Sequence, residues 1–359
     1  GLVGPSGKIL WPLLRRLAGL ERPECYVTNL SKVPLDNDES TEAKMTDEEF
    51  EVCRAELLVE LARVQPKRML AVGALAAKAL LPSFTSMTVN NGMTYGVPGW
   101  SVTPCWHPAA ALRGAGEGKD PLAWMGDALT HFTRNQRYAK PVTVPPWLYS
   151  DRPFSSTGMI GLDTEGTVED PQCVTWANDV DRRMVPDRGL RAFWKNLRLS
   201  GLKICYHNAP WDWAVLEAMG VETPWDVPFV DTMELAYIRQ TEPQGLKDLA
   251  RRHFGMDMRS WEDVVTPYYE EAVVNMAAGT VDAGTTITTH SHKTGKAYKK
   301  PRVERTEAAK RLARLKDTTK IAERLGFEPM SLRFVPFDVM AEYATLDPFV
   351  TLKVWEALK

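Results

Sequence analysis

The chain has 359 residues, 44% of them hydrophobic and 25% charged, and 44 Lys and Arg against 46 Asp and Glu give a formal net charge of −2. That balance excludes a disordered or fibrous protein and is enough for two domains with ordinary cores. Near-neutrality excludes nucleic-acid binding by bulk electrostatics, so any basic surface must be local, and no apolar run reaches membrane-spanning length.

In chain order, Cys25–Leu30 reads as a strand, followed by a polar, acidic loop over 36–46. Thr46 then caps a helix with Glu49 three residues on, and Phe50, Cys53, Leu57, Leu61 and Val64 form its apolar stripe. Arg68–Gly73 reads as a strand, Ala74–Leu81 as a helix and Ser101–Trp106 as a strand. Asp120 begins a last helix through Trp124, Leu129 and Phe132. The pattern is a small α/β unit with a mostly parallel sheet. Cysteines at 25, 53, 105, 173 and 205 show no Cys-x-x-Cys pairing, which fits reduced thiols in a cytosol. No secretion signal is legible, and the expected location is cytoplasmic (a bacterial host's cytoplasm if the chain is phage-encoded).

Four stretches of this first part resemble the uracil-DNA glycosylase superfamily, its family 4 type in particular: Gly4–Leu10 (GPSGKIL), Tyr26–Lys32 (YVTNLSK), Ala71–Leu81 (AVGALAAKALL) and His107–Arg113 (HPAAALR). The resemblance places Asn29 and His107 at the family's base-reading and transition-state positions. It also puts Leu2 at the base-stacking phenylalanine, Val33 at one cluster cysteine and Cys53 at another. The family's Gly-Glu-x-Pro-Gly motif, which holds the catalytic water, would fall ahead of residue 1. The expectation is therefore a vestigial base pocket of Asn29 and His107 held by packing, no iron–sulfur cluster and no base excision.

Residues 134–157 carry four prolines and no helical period, as a linker does. Beyond it, Gly158–Glu165 (GMIGLDTE) reads as an apolar strand ending at Gly166, with Asp163 and Glu165 on one face and Thr164 on the other. A second apolar run, Leu202–Tyr206, leads to a helix starting near Asn208–Pro210, with Asp212 in its first turn and a stop at Gly220. Near the end, Tyr343 and Asp347 lie one helical turn apart, with a break expected at Pro348.

Taken together, these motifs resemble the DEDDy group of 3′→5′ exonucleases, which includes the proofreading domain of family A DNA polymerases and ribonuclease D type enzymes. The text around Asp231–Met233 and Gly245–Gly255 (GLKDLARRHFG) resembles the same group. The resemblance makes Asp163, Glu165, Asp212 and Asp347 metal ligands and Tyr343 the residue that orients water. Two Mg²⁺ or Mn²⁺ would serve in-line hydrolysis of a terminal phosphodiester. Between 260 and 335 lies an insertion whose start reads as a hairpin or loop and whose continuation, 308–316, reads as a basic helix. Asn208, Lys247, Lys293, Lys296, Lys299, Lys300 and Arg302 are candidate nucleic-acid contacts.

The expected fold is α/β throughout. A uracil-DNA glycosylase-like domain with a parallel sheet covers 1–133, a Pro-rich linker 134–157, and a ribonuclease H-like exonuclease domain with a mixed sheet 158–359. The expected activity is 3′→5′ exonuclease proofreading on a single-stranded DNA 3′ end, with a DNA polymerase as partner or as a missing C-terminal region and no membrane involved. The alternatives are an RNA-trimming exonuclease and a non-catalytic DNA-binding or assembly module of a replisome.

Overall fold

The computed structural model describes residues 2, 4–32, 45–112, 120–133, 136–149, 158–185, 187–277, 281–290, 297–303 and 330–359. The chain is α/β with mixed sheets and falls into two compact units. The first comprises 1–143, 231–258 and 353–359; the second comprises 144–230 and 259–352. The return of 231–258 to the first unit has no signature in the sequence around the Pro-rich stretch.

The first unit opens with α1 (Pro5–Leu13) and α2 (Asp47–Val64). The Thr46 hydroxyl accepts from Glu49 N, and the Glu49 carboxylate accepts from Thr46 N, so both arms of the capping box are made. Phe50, Leu57 and Leu61 are buried as the period requires, whereas Cys53 is half-buried and Val64 exposed. Then come β1 (Arg68–Val72), α3 (Ala74–Leu80), α4 (Met87–Asn90), β2 (Tyr95–Val97), β3 (Trp100–Cys105), α5 (Pro108–Leu112) and α6 (Pro121–Thr133).

The three strands are ordered β1-β3-β2, with β1 parallel to β3 and β2 antiparallel to it. The sheet is therefore mixed, not mostly parallel. The sequence hides β2 because its three residues turn straight into β3 at Gly99.

Residues 26–30 form no strand. Side chains hold this segment instead: Tyr26 Oη and Thr28 Oγ1 donate to the Glu60 carboxylate, and Lys32 binds Glu60, Thr28 Oγ1 and the Asn29 carbonyl. A strand needs a ladder partner, and here α2 supplies a carboxylate in its place.

The second unit carries β4 (Trp147–Tyr149), β5 (Met159–Gly166), β6 (Pro171–Ala177), β7 (Arg182–Val185), α7 (Leu190–Ser200), β8 (Lys203–Tyr206), α8 (Ala209–Ala218) and β9 (Phe229–Asp231). The sheet runs β4-β7-β6-β5-β8-β9, with β5 antiparallel to β6 and parallel to β8. Ile160, Leu162, Ile204, Leu197 and Leu216 make its core. Later elements are α9 (Thr232–Arg239) and α10 (Leu246–Phe254), both in the first unit, then α11 (Trp261–Ala277).

Of the hairpin or loop expected at the start of the insertion, the backbone takes the hairpin, as β10 (Val281–His290) antiparallel to β11 (Ala297–Val303). Lys299, Lys300 and Arg302 lie on β11; Lys293, Lys296 and the basic helix expected over 308–316 lie outside the described residues. The chain closes with α12 (Phe337–Ala344) and α13 (Leu346–Leu358). The helix break falls at Thr345, one residue before α13, so Tyr343 and Asp347 sit on different helices. Pro348 lies in the first turn of α13, where its missing N–H costs nothing, and so it starts a helix rather than breaking one. Among the described residues no helix is long and apolar enough to cross a membrane.

Candidate functional site

In the first unit, β3 ends at Cys105 and delivers His107 to the turn before α5. The ring is half-buried, and its Nδ1 accepts the Ala109 N–H at 3.1 Å. A neutral imidazole whose Nδ1 accepts must carry its proton on Nε2, so this backbone contact selects the donor nitrogen. Gly73, at the end of β1, has φ +93°, and a Cβ there would meet the His107 Cβ at 3.3 Å. The absent side chain is what lets the His107 turn lie against the strand end. Asn29 is exposed, on the segment that Glu60 anchors to α2. The Lys32 hydrogen bond, with those of Tyr26 and Thr28, holds the Glu60 carboxyl down at about 2.

In the second unit, the period-two reading of β5 holds. Asp163 and Glu165 share a face and meet Asp347 from α13, their ligand oxygens all within 4.8 Å of one another. Gly161 makes the approach feasible, since a Cβ there would sit 1.8 Å from the Pro348 carbonyl oxygen. Arg182, buried on β7, anchors α12 beside them by donating to the Glu342 carbonyl and carboxylate and to Thr345 Oγ1. The Tyr343 phenol on α12 is pushed up by burial first, and then by the charges of Glu165, Asp347, Asp163 and Glu262.

Asp212 is not part of this group. Its Oδ1 accepts the Thr164 N–H at 2.9 Å and the Thr164 hydroxyl at 2.8 Å, so it pins the far face of β5. Thr164 turns away from Asp163, as expected, and takes Asp212 with it. Of the four carboxylates expected to hold metal, Asp163, Glu165 and Asp347 thus meet, and Asp212 bonds Thr164. Asn208 occupies the N-cap position of α8 in a left-handed conformation, with no side-chain cap bond. Lys247 is half-buried on α10, which belongs to the other unit.

Sequence reasoning missed one group entirely. Arg252 on α10 is fully buried, and it donates to Glu242 at 2.8 Å and to the carbonyls of Val89 at 3.0 Å and Asn91 at 2.5 Å. Asp127, Arg137 and His253 complete the network, all within the first unit. Nothing in the sequence around Arg251–His253 marks Arg252 as buried, and only long-range contacts bury it.

Comparison with known proteins places the resemblance in the first part of the chain. Residues 2–130 match the family model of the uracil DNA glycosylase superfamily. The chain is 31% identical over 143 residues to a type-4 uracil-DNA glycosylase of Pyrobaculum aerophilum, covering 36% of this chain and 70% of that protein. It is 31% identical over 118 residues to the type-4 uracil-DNA glycosylase of Archaeoglobus fulgidus, covering 31% of this chain and 57% of that one. With the type-4 uracil-DNA glycosylase of Sulfurisphaera tokodaii it is 29% identical over 121 residues, 31% of this chain and 52% of the relative.

These matches correct three expectations. Relatives named as glycosylases overturn 3′→5′ exonuclease proofreading, together with its RNA-trimming and assembly-module alternatives, as the activity of this chain. They overturn the two Mg²⁺ or Mn²⁺ that went with it. They also overturn the expectation of no iron–sulfur cluster, since the type-4 resemblance carries one with it.

The thiols described here fit such a cluster in part only. Cys53, half-buried on α2, is the cysteine that the resemblance matches to a cluster ligand. Val33 offers no ligand, and burial pushes the Cys105 thiol up to about 12, away from the thiolate a ligand must be. Among the described residues no three cysteines converge, so they do not complete a four-thiolate set.

Proposed function

The chain belongs to the uracil-DNA glycosylase family through its first 130 residues, and from that membership we propose that it excises uracil from DNA with His107 as the group that stabilises the departing base. The observation that carries this reading is the Ala109 N–H donated to His107 Nδ1. It holds the neutral ring with its proton on Nε2, ready to donate.

Water adds to the sugar C1′ as the bond to the base nitrogen breaks; the bonding electrons pass onto the base and its C2 carbonyl oxygen, and the proton given up by the water ends on the released base. A fixed Nε2–H donor aimed at that oxygen strengthens as charge develops, and so acts in the transition state more than in the ground state. Asn29 supplies an amide that can both donate to and accept from a base edge, on a segment tied down by Lys32 and Glu60. DNA is the partner this implies. The carboxylates of the second unit have no step in this reaction.

The sheet order of the second unit, three antiparallel strands followed by β8 and β9, supports a ribonuclease H-like fold. A fold by itself assigns no chemistry.

The test is excision from a labelled oligonucleotide holding one uracil, followed by alkaline cleavage of the abasic site. The full chain is expected to release uracil, and His107→Ala to slow release by roughly 10²- to 10⁴-fold. Absence of release from the full chain, or a rate unchanged in His107→Ala, would overturn the proposal.

A further inference from the structure

The turn that carries His107 is held through the three residues before it. Gly73, at the end of β1, donates its N–H to the Cys105 carbonyl at 2.8 Å. The segment after α4 takes the residues on either side: Gly92 N donates to the Pro104 carbonyl at 2.9 Å, and Asn91 Oδ1 accepts the Trp106 N–H at 3.0 Å. Asn91 is fully buried, and its Nδ2 donates to the Trp124 carbonyl at 2.7 Å. What holds Asn91 therefore holds the residue next to His107.

Arg252 holds Asn91. Its Nη1 donates to the Asn91 carbonyl at 2.5 Å and to the Val89 carbonyl at 3.0 Å, at the end of α4, where helix carbonyls lack partners of their own. Its Nε donates to Glu242 at 2.8 Å, and its Nη2 stands 3.5 Å from Asp127. A second arm runs through rings. The guanidinium lies over Trp124, 5.7 Å from the ring centroid, and Trp124 packs against Trp106 at 6.3 Å. Both arms start at Arg252 and end at Trp106. A planar fork with donors in several directions meets these groups at once, which the point charge of a lysine does not. Gly92 leaves room for the arrangement: its φ is +71°, and a Cβ there would lie 2.6 Å from Asp127 Oδ2.

We infer that Arg252 is a positioning residue for His107. Through Asn91 and Trp124 it sets where Trp106 lies, and with it whether the Ala109 N–H meets His107 Nδ1. The inference rests on the reading of His107 as the group that stabilises the departing base. It places a requirement of base excision outside residues 2–130, the span that matches the family, although every group in the chain of contacts belongs to the first unit. Close-packed interiors pass a displacement on instead of absorbing it, and a shift of about 1 Å near the reacting atoms costs on the order of 10²-fold in rate.

The test is the nitrogen NMR spectrum of the His107 ring in the full chain with isotope-labelled histidine, beside the single-turnover rate of excision at saturating enzyme. Arg252→Met removes the origin of both arms. Asn91→Ala cuts the hydrogen-bonded arm alone and leaves Arg252 its backbone acceptors. Arg182→Met, which deletes the buried arginine of the second unit, controls for the general loss of a buried ion. All are compared at a temperature where circular dichroism shows them folded. Wild type and Arg182→Met are expected to show one ring tautomer, with the proton on Nε2. Arg252→Met and Asn91→Ala are expected to show a mixture, with excision slowed roughly 10- to 10²-fold and affinity for a uracil-containing strand unchanged. Ring signals that stay as in the wild type in either Arg252→Met or Asn91→Ala overturn the inference, as does an equal disturbance in Arg182→Met. If Arg252→Met does not fold, Asn91→Ala decides by the same criterion. The ring spectrum needs no substrate, so a full chain that releases no uracil defeats the base-excision reading while the spectrum still decides what positions the ring.

Discussion

Buried carboxylates are handled in opposite ways in the two units. In the first, Glu242 and Asp127 are met by Arg252, Arg137, His131 and His253, so negative charge is neutralised where it is buried. Burial pushes the Glu242 carboxyl up, but the His253 hydrogen bond and the charges of Arg252, His253 and Arg137 outweigh it and leave the group at about 2. In the second unit, Asp163, Glu165 and Asp347 converge on one another, and their field adds to burial in pushing the Tyr343 phenol up. The first arrangement holds structure together. The second gathers carboxylates at one place, as sites that need negative charge do.

The largest effect that would test this contrast is removal of Arg252. Arg252→Met leaves Glu242 and the Val89 and Asn91 carbonyls buried without their donor, and should cost about 3–5 kcal/mol of stability. Chemical denaturation of wild type and variant measures it; a loss below about 1 kcal/mol would show that the network is incidental.

Next in size is the pH dependence of the same network. The folded Glu242 carboxyl, at about 2, lies below its ordinary 4.5, so its contribution is fully present above pH 4.5 and is lost as pH falls towards 2. The contribution is about 3 kcal/mol. Glu242→Gln should flatten the acid limb of the stability curve by that amount, and a limb of unchanged steepness would break the assignment.

The smallest effect has the opposite sign. Glu165→Gln removes one of three converging charges and should raise stability at neutral pH by up to about 1 kcal/mol, with a lower phenol titration at Tyr343. A clear destabilisation would mean that the three carboxylates are held by attraction and that the contrast is mistaken.

Legibility in the sequence followed the range of the interactions. The Thr46–Glu49 capping box, the period-two placement of Asp163 and Glu165 on β5, the start of α8 near Pro210 and the hairpin of β10 and β11 all depend on residues a few positions apart. The strand expected at 25–30 failed because pairing needs a partner that local sequence does not name. The likeness of residues 2–130 to glycosylases is legible in four short motifs, whereas the carboxylate motifs of the second unit, equally legible, misdirect the expected activity.

By itself, then, the sequence determined the α/β class, the Thr46 cap of α2 and the side of β5 that carries two carboxylates, because helical and strand periods act over a few residues. Tertiary structure alone decided which carboxylates gather on β5 and which bonds Thr164, that Arg252 is buried, and that His107 Nδ1 meets the Ala109 N–H. Each of these depends on which donor or acceptor meets a polar group after the chain has folded. A buried charge must be satisfied by something, and periodicity does not say by what.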